Sequence, residues 1–88
     1  MYKIKNENSK GEKILLKQVF KEKKTCWLAA LKEAAEEAQD IFDCLETEED
    51  KKTVRVKTVG GNIIVRCGKY LDGEKYESIY SVEDIDLC

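Results

Sequence analysis

The chain opens on alternation, with Tyr2 and Ile4 set against Lys3 and Lys5, followed by the turn-forming stretch ENSKG and then the apolar run EKILLKQVFK. A period of two marks a strand with one buried face, so residues 1–6 and 12–21 are expected to form a hairpin. Ile14, Leu16 and Phe20 would face inward, and Lys13, Lys17 and Lys21 would face outward with Leu15 and Val19. From Cys26 the period lengthens to that of a helix and holds to about Glu46, with Thr25 as the expected N-cap. At 100° per residue, Trp27, Leu31, Ala34, Ala35, Ala38, Ile41, Phe42 and Leu45 fall in a stripe roughly 120° wide, as in a helix docked on one side only. The opposite side collects Glu33, Glu36, Glu37, Asp40 and Asp43, and the polar run ETEEDKK follows as a loop.

Further along, VGGN and LDGE each place two turn-forming residues between strand-like runs. A two-residue loop at Gly60-Gly61 pairs Val59 with Asn62, Val56 with Val65 and Val54 with Cys67. The inner face then carries Val54, Val56, Ile63, Val65 and Cys67. A second loop at Asp72-Gly73 sets Tyr70 opposite Lys75 and Val65 opposite Tyr80, which brings Tyr76 and Tyr80 inside. The run SVEDIDLC at 81–88 alternates like an edge strand, although Ser81 with Asp84 imitates a capping box. The predicted fold is α+β, a two-layer sandwich of one helix on a four- or five-stranded antiparallel sheet in the order ββαβββ. Its expected core includes Trp27, Leu31, Ile41, Phe42, Val56 and Val65. A chain of 88 residues has room for one such domain and one modest core.

Charge sharpens this picture. The formal net charge is only −2, but residues 1–32 hold nine Lys against three Glu, residues 33–50 hold nine acids and no base, and residues 51–88 hold seven bases against six acids. The fold should therefore carry two electrically different faces. Neighbouring carboxylates on a helix with no Lys at i+4 forgo about 0.2–0.5 kcal/mol per missing pair, and those near the C-terminus oppose the helix dipole.

Catalytic and metal chemistry find little support. The chain has no histidine, which excludes triads and dyads built on imidazole. Neither Gly60-Gly61 nor Gly68 sits in a phosphate-cradling pattern. Cys26, Cys44, Cys67 and Cys88 form no CxxC pair, so no zinc site is expected, and carboxylates along a helix surface diverge instead of converging on a cation. No cofactor is expected. The N-terminal stretch has no apolar segment of signal-peptide type and no run is long enough to cross a bilayer, so a cytoplasmic protein with reduced thiols is expected.

What remains is chemistry done by surfaces. The acidic row Glu33, Glu36, Glu37, Asp40 and Asp43 advances about 5 Å per helical turn, near enough to phosphate spacing to occupy the basic groove of a nucleic-acid-binding protein partner. In charge layout this one helix resembles the small anti-defence proteins of phages and mobile elements. The resulting expectation is a non-enzymatic protein-binding module acting as an inhibitor by nucleic-acid mimicry. A rival surface is the outer sheet face with Arg55, Lys57, Ile64, Arg66 and Tyr70, which would bind nucleic acid directly or, through its apolar members, form the homodimer face of a structural or antitoxin-like protein.

Overall fold

The computed structural model of the chain describes residues 1–8, 10–68 and 75–85. Its elements are β1 (Tyr2–Asn8), β2 (Lys13–Leu15), α1 (Lys23–Cys44), α2 (Glu48–Lys51), β3 (Arg55–Val59), β4 (Asn62–Cys67) and β5 (Tyr76–Asp84). The strands form one antiparallel sheet in the order β2-β1-β5-β4-β3, and α1 packs across one face of it. This is the two-layer α+β arrangement that one helical period among alternating segments predicts.

The first hairpin is tied by Asn8, whose Oδ1 accepts from the amides of Lys10 and Glu12, both at 3.0 Å. Gly11 takes φ 84° in the same turn, a conformation that a side chain would resist. The second strand is far shorter than expected. Only Lys13–Leu15 pair regularly with β1, the Leu16 amide donates to the Ile4 carbonyl, and the chain then returns as an isolated bridge between Phe20 and Tyr2. An unbroken ladder would have set Gln18 opposite Tyr2 and pointed its amide into the core, which costs free energy without a partner. The detour at residues 17–19 keeps Gln18 outside while both Leu16 and Phe20 pack against the core.

Helix α1 starts at Lys23, so Thr25 lies inside its first turn, and the N-cap Glu22 makes no side-chain capping bond. At the other end Leu45 turns extended and its amide donates to the carbonyls of Ile41 and Phe42. The buried line is Cys26, Ala30, Ala34 and Ile41, continued by Leu45. At 100° per residue that line is turned by about 60° from the expected stripe. Small side chains at the contact let the helix axis approach the sheet, whereas the predicted stripe would have seated the bulky Phe42 there. Phe42 is instead 39% exposed, and Trp27 and Leu31 flank the core half-buried. The expected polar loop after α1 contains the short α2, whose N-cap Thr47 accepts the Asp50 amide at 3.1 Å.

In the second half of the sheet, β3 and β4 pair in the expected register, from Val59↔Asn62 through Val56↔Val65 to Arg55↔Arg66; the ladder stops short of a Val54–Cys67 pair. Gly60 has φ 59° and Gly61 does not take a positive φ, the pattern of a type II′ turn. Between β4 and β5 the register differs from expectation by two residues: Val65 faces Ser78, and Tyr80 faces Ile63. A shift of two leaves every side chain on its own face, so alternation is blind to it. The expected Tyr70–Lys75 pair and the Asp72-Gly73 turn lie outside the described residues. Residues 81–84 are no edge strand. They prolong β5, which pairs with β1 from Tyr2↔Asp84 to Asn8↔Ser78 and so lies in the middle of the sheet.

The core comprises Ile4, Phe20, Cys26, Ala30, Ala34, Ile41, Leu45, Ile63, Val65, Cys67 and Tyr80. Val56, expected inside, is 44% exposed because α1 lies chiefly over β1, β5 and β4 and leaves β3 largely uncovered. Two measurements check this packing. Phe42→Ala should lower unfolding free energy in urea by only about 1 kcal/mol, the loss of a partly buried ring and its Lys51 contact, against the 3–5 kcal/mol of a fully buried aromatic. In the native protein a thiol reagent should label the exposed Cys44 at once and Cys26 only on unfolding, because burial both shields the Cys26 thiol and pushes its pKa up.

Candidate interaction surfaces

Glu33, Glu36, Asp40 and Asp43 follow one another at intervals of three, four and three, forming a row along α1 about 15 Å long. Glu36, Asp40 and Asp43 are exposed and Glu33 is half-buried. Gln39 Nε2 donates to Asp43 Oδ1 at 2.9 Å. The ion pair found among the described residues joins Arg66 Nε to Glu77 Oε2 at 2.8 Å, on the other side of the molecule, so the row keeps its charge. No basic residue lies in the last turn of α1, where the helix's own C-terminal dipole adds to the negative potential.

Glu37 leaves the row. Its carboxylate accepts from the Tyr80 hydroxyl at 2.6 Å and the Tyr76 hydroxyl at 3.3 Å, between helix and sheet. On the helical wheel Glu37 falls between Cys26 and Ala30, on the buried line. That position was the available signal, hidden by the usual assignment of glutamate to the solvent side. A related polar contact runs beneath, where Asn6 Nδ2 donates to the Oγ of the buried Ser78 at 2.7 Å.

The Tyr80 phenol is 6% exposed, and its pKa is pushed well above the ordinary value of 10.0, first by burial and then by the hydrogen bond and negative charge of Glu37. As pH rises past 10, unfolded chains release this proton and folded ones retain it. The unfolded state then binds fewer protons, so stability falls with rising pH until the folded phenol ionises, by at most about 1.4 kcal/mol per pH unit for one proton. Below the ordinary tyrosine range the contribution is intact. Urea titrations across the alkaline range should show this slope in the parent and its reduction in Tyr80→Phe.

About 120° around α1 from the acidic row, with Lys32 and Gln39 between, runs an apolar one, Leu28, Ala35 and Phe42, spaced seven apart and exposed, with Leu28 at 55%. Lys51 Nζ lies 5.0 Å from the centre of the Phe42 ring. Between α1 and β3 an open groove of about 470 Å³ is lined by Ala35, Ala38, Phe42, Val54 and Val56 among others.

The rival surface is also assembled, in altered form. Arg55 pairs across the ladder with Arg66, and Lys57 with Ile64, on the face away from α1. Arg55, Lys57 and Arg66 are exposed, but Arg66 is engaged by Glu77. Ile64, expected to be exposed, is only 9% so: lying between Ile79 and Lys57 in its cross-strand row, it is shielded by neighbours on both sides. Tyr70 lies outside the described residues. The large apolar residues left exposed on this face are Val59 and Leu15, at its two opposite margins. Among the described residues no group of three potential metal-ligating side chains converges, and no helix is long and apolar enough to cross a membrane. Comparison of the chain with protein-family models, with curated protein sequences and with solved structures finds no match.

Proposed function

We propose that this chain is a non-enzymatic protein-binding module whose working surface is the outer side of α1, and that it inhibits a nucleic-acid-binding partner by presenting carboxylates in place of phosphates. The observation that carries the reading is the row Glu33, Glu36, Asp40 and Asp43 along one side of α1, left without an ion pair among the described residues. Charge of one sign steers a basic partner and orients it on the helix.

The test is capture of a partner by the immobilised chain, followed by elution. Binding should weaken steeply as salt rises, because exposed charges are screened within about 8–10 Å at physiological ionic strength. A nucleic acid fragment should displace the partner from the same site. A partner unmoved by both salt and nucleic acid would overturn the mimicry. The rival reading, direct nucleic-acid binding by the sheet, draws support from Arg55, Arg66 and Lys75, which line one open cleft. Retention of nucleic acid by the chain itself in a gel shift, lost on changing Arg55 and Arg66, would favour that reading instead.

A further inference from the structure

Independently of the acidic row, we infer that the outer edge of β3 is a docking site for an extended segment of a partner protein whose side chains alternate apolar and acidic. Among the described residues β3 ends the sheet and pairs only with β4. With Val59 and Asn62 closing a two-residue hairpin, the ladder alternates so that Arg55, Lys57 and Val59 turn their main-chain groups to β4, while Val56 and Thr58 turn theirs to the open side. Among the described residues no other backbone group takes up those of Val56 and Thr58. An added strand would find hydrogen-bonding groups waiting there, the mode in which many domains receive peptides at a sheet edge.

The chemistry of the occupant follows from what lies on either side of that edge. Side chains of an added strand point alternately to the two faces of the sheet. Those on the helix side would enter the groove and meet Phe42, Ala35 and Val56, all exposed, with Lys51 over the Phe42 ring and Arg55 in the groove's lining as well. Those on the other side would meet Arg55 and Lys57, neither of which has a carboxylate partner among the described residues; the Arg55 guanidinium donates to the carbonyls of Lys52 and Val54. The fit is to apolar residues alternating with acids.

Basic residues on an edge strand also disfavour self-association, and Arg55 and Lys57 are placed to act in that way. Two antiparallel copies of β3 would set Arg55 and Lys57 beside their own like charges. The same charges that repel a second copy attract an acidic strand. The opposite edge, the three-residue β2, offers much less ladder.

A library of displayed random heptapeptides selected on the full chain tests the inference. Enriched sequences should alternate apolar and acidic residues, and a synthetic peptide of that kind should slow exchange of the Val56 and Thr58 amides by at least roughly tenfold at saturation. The doubly charge-reversed variant R55E/K57E, altered only at exposed positions, should bind that peptide roughly tenfold more weakly and should select basic residues instead of acidic ones. The variant neutralised along the α1 row should bind it as the parent does, which separates this site from the one proposed above. Failure to enrich an alternating pattern, protection at amides other than Val56 and Thr58, or unchanged binding by R55E/K57E would each overturn the inference. So would a free protein that runs as a dimer with these two amides already protected, since the occupant would then be a second copy.

Discussion

The variant E33Q/E36Q/D40N/D43N should lose partner capture while folding as well as the parent. Glu36, Asp40 and Asp43 are exposed, Glu33 is half-buried, and none is held in an ion pair among the described residues. Neutralising them removes like-charge repulsion worth a few tenths of a kcal/mol per neighbouring pair, so the urea midpoint should stay or rise slightly. At a charged interface, close ion pairs couple by about 1.5 kcal/mol or more, so four lost together should weaken binding roughly a thousandfold or further. Glu37 must be left intact, because its carboxylate holds Tyr76 and Tyr80 and its removal would confound binding with stability. A four-fold variant that binds like the parent would show the row to be solvated exterior and nothing more.

Ile63→Ala should cost about 2–5 kcal/mol, the range for truncating a fully buried branched side chain. Ile63 is 0% exposed, faces Thr58 on one side and Tyr80 on the other, and belongs to the cluster beneath α1. Collapse around the lost atoms is hindered because its neighbours are fixed by the ladder. For a domain whose total stability is about 5–15 kcal/mol, a loss of that size depletes the folded population measurably at ambient temperature. A urea midpoint indistinguishable from the parent's would remove Ile63 from the core. Together with the mild effect expected of Phe42→Ala, the pair of variants reports directly how the helix is rotated on the sheet.

That rotation is the clearest case of what the sequence could and could not convey. The helix, its partner sheet and the β3–β4 register were legible because apolar period and turn chemistry are local properties. Which edge of a broad apolar stripe meets the sheet is settled by contact across the interface. Here Cys26, Ala30 and Ala34 allow a closer approach than Phe42 would, and nothing in the spacing of α1 announces it. Likewise the two-residue shift that aligns Tyr80 with Ile63 conserves every face, so only the finished packing distinguishes it. The site was legible in its charge but not in its membership. Glu33, Glu36, Asp40 and Asp43 needed only the helical period, whereas recognising Glu37 as an interior acceptor required knowing that two tyrosine hydroxyls would arrive beneath it. The β3 groove escaped for a related reason: Val56 alternates like any core residue, and its exposure comes from where α1 stops short.

The central place of β5 has a consequence for how the chain comes off the ribosome. Two hairpins and the helix are synthesised before the strand that must lie between them, and Tyr2 waits for Asp84, 82 positions later, to complete its ladder. Until residues 76–84 emerge, β1 and β4 each expose an unpaired edge and α1 has no continuous surface to cover. Nascent chains stalled before Tyr76 should therefore remain sensitive to protease along their whole length, with protection arriving in a single step when β5 clears the exit tunnel. Loop closure over such separations is slow, so this is a protein whose maturation depends on its unfinished edges being kept apart while it is made.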